Sequence, residues 1–203
     1  MDKLFHSRLT RPLTLTNFII DNIYENPYKI REYALTQTYE HHTYHPGIRT
    51  NYTYMQPELY ALLEKVFLSY NLQITNIHNH FQYNTADEST WIHHDNIDDN
   101  GENTYAGIIY LTPNAPILGG TATYKYIDGN MDRLDTELLQ NKKNVTANSK
   151  DSSKWLKITQ VGNIFNRLVI YNSSSYHSSM EYFGNNIQDS RLMQLFFIYV
   201  KPL

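Results

Sequence analysis

The spacing of apolar residues along the chain changes near residue 72. Upstream, two stretches repeat at three and four residues, the period of a helix with one buried face. Asn26-Pro27 sets a capping side chain before a proline that fits the first turn. The helix that follows carries Ile30, Tyr33, Ala34 and Gln37. Pro57-Glu58 opens a second helix to about residue 70, with Leu59, Leu62, Leu63, Val66 and Phe67 as its apolar stripe. Residues 13–20 partly alternate and read as an opening strand. Beyond residue 72 the pattern becomes alternation between turn residues, the signature of strands. Strands are expected over 73–84, 104–111, 121–126, 155–165, 167–171 and 191–200, with Pro113 and Gly119-Gly120 as punctuation. Residues 128–153 are the most polar stretch. They read as a short helix over 132–140 and an insertion loop over 141–153 that is suited to act as a lid.

No strand–helix–strand rhythm follows residue 72, so the strands should pair antiparallel. The expected fold is mainly β with N-terminal helices, a jelly roll or barrel whose mouth carries the site. At 203 residues the chain is expected to be one domain, with helical support over about 1–71 and the β core over about 72–203. There is no cysteine, which removes disulfides, thiolate metal sites and a thiol nucleophile. Any metal site must then be built from histidine and carboxylates. A net charge of −3 without a basic run argues against nucleic acid as a partner. No segment approaches the roughly 18 apolar residues of a membrane span, and the first residues lack the apolar core of a signal peptide. A cytoplasmic protein with no membrane attachment is the expectation.

The chemistry concentrates in Trp91-Ile92-His93-His94-Asp95. On extended backbone His93 and Asp95 point to one face, so an imidazole and a carboxylate can converge. By itself His-x-Asp carries little weight in a chain with nine histidines. His177, in Ser173-Ser174-Ser175-Tyr176-His177, is the best third ligand. Two histidines and one carboxylate would leave half of an octahedron open, the arrangement of non-haem Fe(II) oxygenases. Arg191 opens the last strand, sharing a face with Met193, Leu195 and Phe197. There a guanidinium fork could hold a carboxylate, and the bland alternative is a surface arginine at a strand end. His78-x-His80 is a rival pair of the cupin kind, but Glu88 stands at the wrong distance from it. His41, His42 and His45 read as polar loop residues.

The ordered set His93-x-Asp95, Ile108-Ile109-Tyr110-Leu111-Thr112-Pro113, Gly119-Gly120-Thr121, Leu168-Val169-Ile170-Tyr171, His177 and Arg191 resembles the Fe(II)- and 2-oxoglutarate-dependent dioxygenases, in the branch similar to prolyl hydroxylases. The resemblance spans about residues 72–200. It implies a double-stranded β-helix, with Fe(II) on His93, Asp95 and His177 and the distal carboxylate of 2-oxoglutarate on Arg191. Tyr83 and Tyr110 would hydrogen-bond the co-substrate, and Trp91 would wall the pocket. The implied reaction uses O2, releases succinate and CO2, and hydroxylates an amino-acid side chain, a peptide or a small metabolite. A non-catalytic jelly-roll binding module and a cupin-like metalloenzyme on His78 and His80 are the other readings.

Overall fold

The computed structural model describes residues 17–41, 47–51, 53, 55–95, 103–131 and 144–203. In order along the chain these form β1 (Asn17–Ile20), α1 (Pro27–Leu35), β2 (Tyr39–His41), β3 (Ile48–Thr50), α2 (Pro57–Leu68), β4 (Leu72–Asn84), β5 (Asn103–Tyr110), β6 (Thr121–Tyr126), β7 (Trp155–Val161), β8 (Leu168–Asn172), β9 (His177–Ser179) and β10 (Arg191–Pro202). Both helices begin as their sequences dictate. Asn26 caps α1 by accepting from the Lys29 N–H, and each helix has proline in its first turn. Helix α1 stops at Leu35, short of Gln37. The Thr36 N–H and hydroxyl both turn back to the Tyr33 carbonyl there.

All strand pairs are antiparallel. Seven strands form one sheet in the order β1-β8-β5-β10-β4-β3-β2, and three form a second in the order β7-β6-β9. The chain is therefore mainly β with few helices, a two-sheet arrangement consistent with a jelly roll. Strand β10 lies centrally in the large sheet, and the alternation along it sorts the whole core. Its even residues Leu192, Phe196 and Ile198 face the helices. They pack with Leu59, Leu63 and Phe67 of α2 and with Phe81, Ile109 and Ile170 of the neighbouring strands. Its odd residues Met193 and Leu195 face the small sheet, packing with Ile108, Tyr110, Val169 and Tyr171. A one-residue slip of β10 would exchange these two sets. Twelve paired positions with β4 and eight with β5 fix the register.

Two expectations change here. Residues 41–50 are not a plain loop: their described ends form the hairpin β2–β3, which extends the large sheet through β4. Histidines 42 and 45, the expected helix over 132–140 and residues 13–16 lie outside the described residues. Of the expected insertion loop, residues 144–153 are fastened down. Val145 is buried with Tyr126, Trp155 and Tyr176, and the Trp155 indole donates to the Asn148 carbonyl at 2.9 Å. Among the described residues no helix is long and apolar enough to cross a membrane.

Candidate metal and co-substrate site

The two sheets part to leave a cavity of about 500 Å3, and the residues singled out by chemistry meet on its wall. The segment carrying His93 is extended but is not a regular strand. Its N–H groups go to three different partners: Ile92 donates to the Ser149 carbonyl, His93 to that of His177, and Asp95 to that of Ser173. Only at His93 does this become a bridge, with His177 at the start of β9. The extended backbone still gathers His93 and Asp95, and the bridge delivers His177 to them. One ligand atom from each lies within 4.8 Å of the other two.

The protonation of both imidazoles is set by short backbone contacts. His93 Nδ1 is 3.0 Å from the Trp91 carbonyl, and His177 Nδ1 is 2.9 Å from that of Ser175. A carbonyl can only accept, so Nδ1 carries the proton and Nε2 presents its lone pair inward. The two Nε2 atoms flank the Asp95 carboxylate at 4.0 and 3.7 Å. Burial pushes the His177 imidazole down to about 4, against a partial upward pull from Asp95, so it is neutral near pH 7. Asp95 Oδ2 is buried and makes no hydrogen bond. A buried carboxylate oxygen left in this state is costly. A divalent cation satisfies all three donors, so the residues fit a metal.

Arg191 lies in the same wall and is 1% exposed. Its Nε donates to the Gly119 carbonyl at 2.7 Å, and its Nη2 to Thr121 Oγ1 at 3.2 Å. The guanidinium also sits 5.4 Å from the centre of the Tyr110 ring. All these partners are neutral, and among the described residues no carboxylate oxygen lies within 4.0 Å of it. The surface-arginine reading is thereby excluded. Gly119-Gly120 is the seat of this side chain. A Cβ on Gly120 would stand 1.9 Å from the Val161 carbonyl oxygen, so only glycine allows this approach.

The two expected tyrosines are not on the cavity wall. Tyr83 pairs with Leu192 and so points to the helix side, where its ring meets Tyr39 at 5.2 Å. Gln82, paired with Met193, takes the cavity face instead. Tyr110 is on the correct face but fully buried, and its hydroxyl shares a 2.8 Å hydrogen bond with Thr121. Tyr171, Tyr182 and Tyr199 line the cavity instead, and the Tyr171 ring centre is 4.6 Å from that of His177. Trp91 lines it as well. His78 and His80 stay apart from the metal group. His80 contacts the Thr50 carbonyl and His78 the Asn76 amide, and among the described residues neither joins a group of three possible metal donors. Arg49, a further cavity residue, had no signal beyond a three-residue strand in a polar stretch.

The chain belongs to a family of unknown function, DUF6445, whose model matches residues 14–191. No curated protein matches it in sequence. Among solved structures it is similar to HygX from Streptomyces hygroscopicus with nickel, 2-oxoglutarate and hygromycin B bound. The identity is 12% and the TM-score 0.55, covering 98% of this chain and 87% of that one. It is also similar to a prolyl hydroxylase from Trichoplax adhaerens in complex with a hypoxia inducible factor peptide fragment. There the identity is 14% and the TM-score 0.55, over 98% and 91% of the two chains. A third is SnoN, a non-haem α-ketoglutarate-dependent epimerase from nogalamycin biosynthesis, at 10% identity and TM-score 0.57, over 97% and 80%. At these identities the likeness is one of fold. Of the three, HygX was crystallised with nickel and 2-oxoglutarate.

Proposed function

We propose that this protein is an Fe(II)- and 2-oxoglutarate-dependent oxygenase, a single domain built on a double-stranded β-helix. Its reaction would hydroxylate a small molecule or a peptide side chain. The observation that carries the reading is the convergence, on one cavity, of a His-Asp-His group and a buried arginine that has no carboxylate partner among the described residues. Fe(II) would be held by His93 Nε2, His177 Nε2 and Asp95. When bound, the metal and 2-oxoglutarate supply the oxidising power from O2, with succinate and CO2 as by-products.

The protein's own contribution is orientation and exclusion of water. The Trp91 and Ser175 carbonyls fix the imidazole orientations, so that both Nε2 atoms face the metal position. Asp95 reduces the charge of the centre by one. Arg191 meets the distal carboxylate of the co-substrate in a place where an unneutralised anion would be expensive. Thr121 fixes the angle of the guanidinium, and Tyr171, on the same wall, would offer its hydroxyl to the co-substrate. The similar structures hold an aminoglycoside in one case and a peptide in another, and this cavity has the volume for part of either.

The experiment is aerobic incubation with Fe(II) and 2-oxoglutarate, following succinate, and a mass-spectrometric search for products heavier by one oxygen atom. Wild-type protein should form succinate, and His93→Ala and His177→Ala should not. Equal succinate from all three would remove the metal from these residues.

A further inference from the structure

Arg49 is a second guanidinium on the cavity wall, and the chemistry described above leaves it without work. It projects from β3 and is held by a chain of polar side chains. Its Nε and Nη2 both donate to Gln82 Oε1, at 2.8 and 2.6 Å. Gln82 Nε2 in turn donates to Asn84 Oδ1 at 3.1 Å, and Asn84 Nδ2 to Glu88 Oε2 at 2.6 Å. The amide of Gln82 is thereby oriented with its oxygen toward the arginine. The guanidinium carbon also sits 5.5 Å from the centre of the Phe197 ring. So the side edge of the fork is occupied, while among the described residues nothing is bonded across the end edge, made by Nη1 and Nη2. Two parallel N–H bonds on that edge match the two oxygens of a carboxylate.

Charge points the same way. The cavity wall carries two arginines, and Asp95 is the sole carboxylate among its described residues. On the reading proposed above, the two positive charges of Fe(II) and the one of Arg191 are cancelled by Asp95 and the dianionic 2-oxoglutarate. Arg49 remains with one positive charge over. Its surroundings do not make that charge comfortable: burial pushes the guanidinium down to about 10, with Asp95 giving only a partial opposing pull. One surplus charge calls for a monoanion, which favours a carboxylate over a phosphate dianion. Among the described residues no second acid lines the wall to receive an ammonium group, so a free amino acid is a poorer match than a carboxylate on an uncharged body. Phe197 and Trp91 supply apolar surface for that body.

We propose that Arg49, positioned by Gln82, is a substrate-binding residue that takes a carboxylate of the substrate on its free Nη edge, so that the substrate is a monocarboxylic acid with an apolar or aromatic body. The inference rests on the oxygenase reading for the charge balance and on the Arg49–Gln82–Asn84–Glu88 chain for its geometry.

The test uses full-length protein loaded with Ni(II) and 2-oxoglutarate, which keeps it from turning over. Probes are N-acetyl amino acids, short fatty acids and aryl-alkanoic acids, each beside its own primary amide, with inorganic phosphate as a further anion. Affinities are read by equilibrium dialysis. At least one acid should bind wild type about tenfold or more tightly than its amide. Arg49→Met should weaken that acid by about thirty-fold or more and leave the amide and 2-oxoglutarate unaffected. Arg49→Lys keeps the charge but not the fork, and should fall between. It also serves if the methionine variant does not fold. No acid bound, acids and amides bound alike, phosphate preferred, or an acid preference unchanged in both variants would each overturn the inference. Loss of 2-oxoglutarate binding in Arg49→Met would do so as well, by making Arg49 the co-substrate anchor. If wild type takes up neither Ni(II) nor 2-oxoglutarate, the oxygenase reading fails, and the acid–amide comparison on the metal-free protein still decides the role of Arg49.

Discussion

The His93 and His177 rings, from segments more than eighty residues apart, are held with their centres 4.5 Å apart by one bridge between their own backbones. The His93 N–H donates to the His177 carbonyl at 2.9 Å, and the His177 N–H to that of His93 at 2.7 Å. Each ligand is thus positioned by the main chain of the other. The metal and the bridge should stabilise one another. Divalent metal at about a hundred times its dissociation constant adds roughly 2.7 kcal/mol. For a chain of this size that is a rise in melting temperature of about 5–10 °C. Asp95→Asn should lose most of this rise when Ni(II) is added in a thermal scan. An undiminished rise would place the metal elsewhere.

Stripped of metal, the same site predicts a pH dependence. His177 titrates near 4 when folded because burial opposes its charge, against an ordinary value of 6.5. The unfolded chain therefore takes up this proton first, and the stabilisation is complete above pH 6.5 and lost as the pH falls toward 4. Between pH 7.5 and 5 this contributes a loss of about 2 kcal/mol. Urea denaturation in chelator should show His177→Gln with a shallower fall than wild type. Parallel curves would mean that the imidazole titrates alike in the folded and unfolded states.

Thr121 ties two buried groups together, accepting from Arg191 Nη2 and sharing a hydrogen bond with the Tyr110 hydroxyl. Thr121→Val leaves both without that partner, at a cost of about 1–3 kcal/mol. Adding Tyr110→Phe should restore part of the loss, because one stranded hydroxyl disappears. Strict additivity of the two substitutions in denaturant melts would contradict a shared hydrogen bond.

The two tyrosines at issue should separate cleanly. Tyr171→Phe should weaken 2-oxoglutarate by about two- to tenfold, the worth of one hydrogen bond. Tyr83→Phe should leave its affinity unchanged, since Tyr83 packs on the helix side of the sheet. Titration calorimetry of both variants with Ni(II) present checks this, and the reverse order would mean that the β10 register is misassigned.

Much of this architecture was legible in the sequence because it rests on period. Alternation located β4, β5, β6, β8 and β10, the Asn-Pro and Pro-Glu pairs located the helices, and His93, Asp95, His177 and Arg191 stood out by chemistry. What escaped depends on register. Whether Gln82 or Tyr83 faces the cavity is decided by which β10 residue it opposes, and no local pattern in β4 contains that. Arg49 escaped because β3 has three residues, too few to display alternation. The extended segment at His93 reads as a strand by its alternation, yet its hydrogen bonds are divided among Ser149, His177 and Ser173, which are distant in sequence. The polar stretch from 144 looked like a free loop because a single buried Val145 and the remote Trp155 hold it.

The central claim is that one cavity holds a metal on His93, Asp95 and His177 and a 2-oxoglutarate carboxylate on Arg191. The most direct test is anaerobic addition of Fe(II) and then 2-oxoglutarate, followed by visible absorption. Wild-type protein should develop a weak charge-transfer band only when both are present. Asp95→Ala should give no band. Arg191→Met should need about thirty-fold or more 2-oxoglutarate to reach it, the expected effect of losing one partner of a buried charge pair. A band of full strength at the wild-type 2-oxoglutarate concentration in both variants would contradict the account.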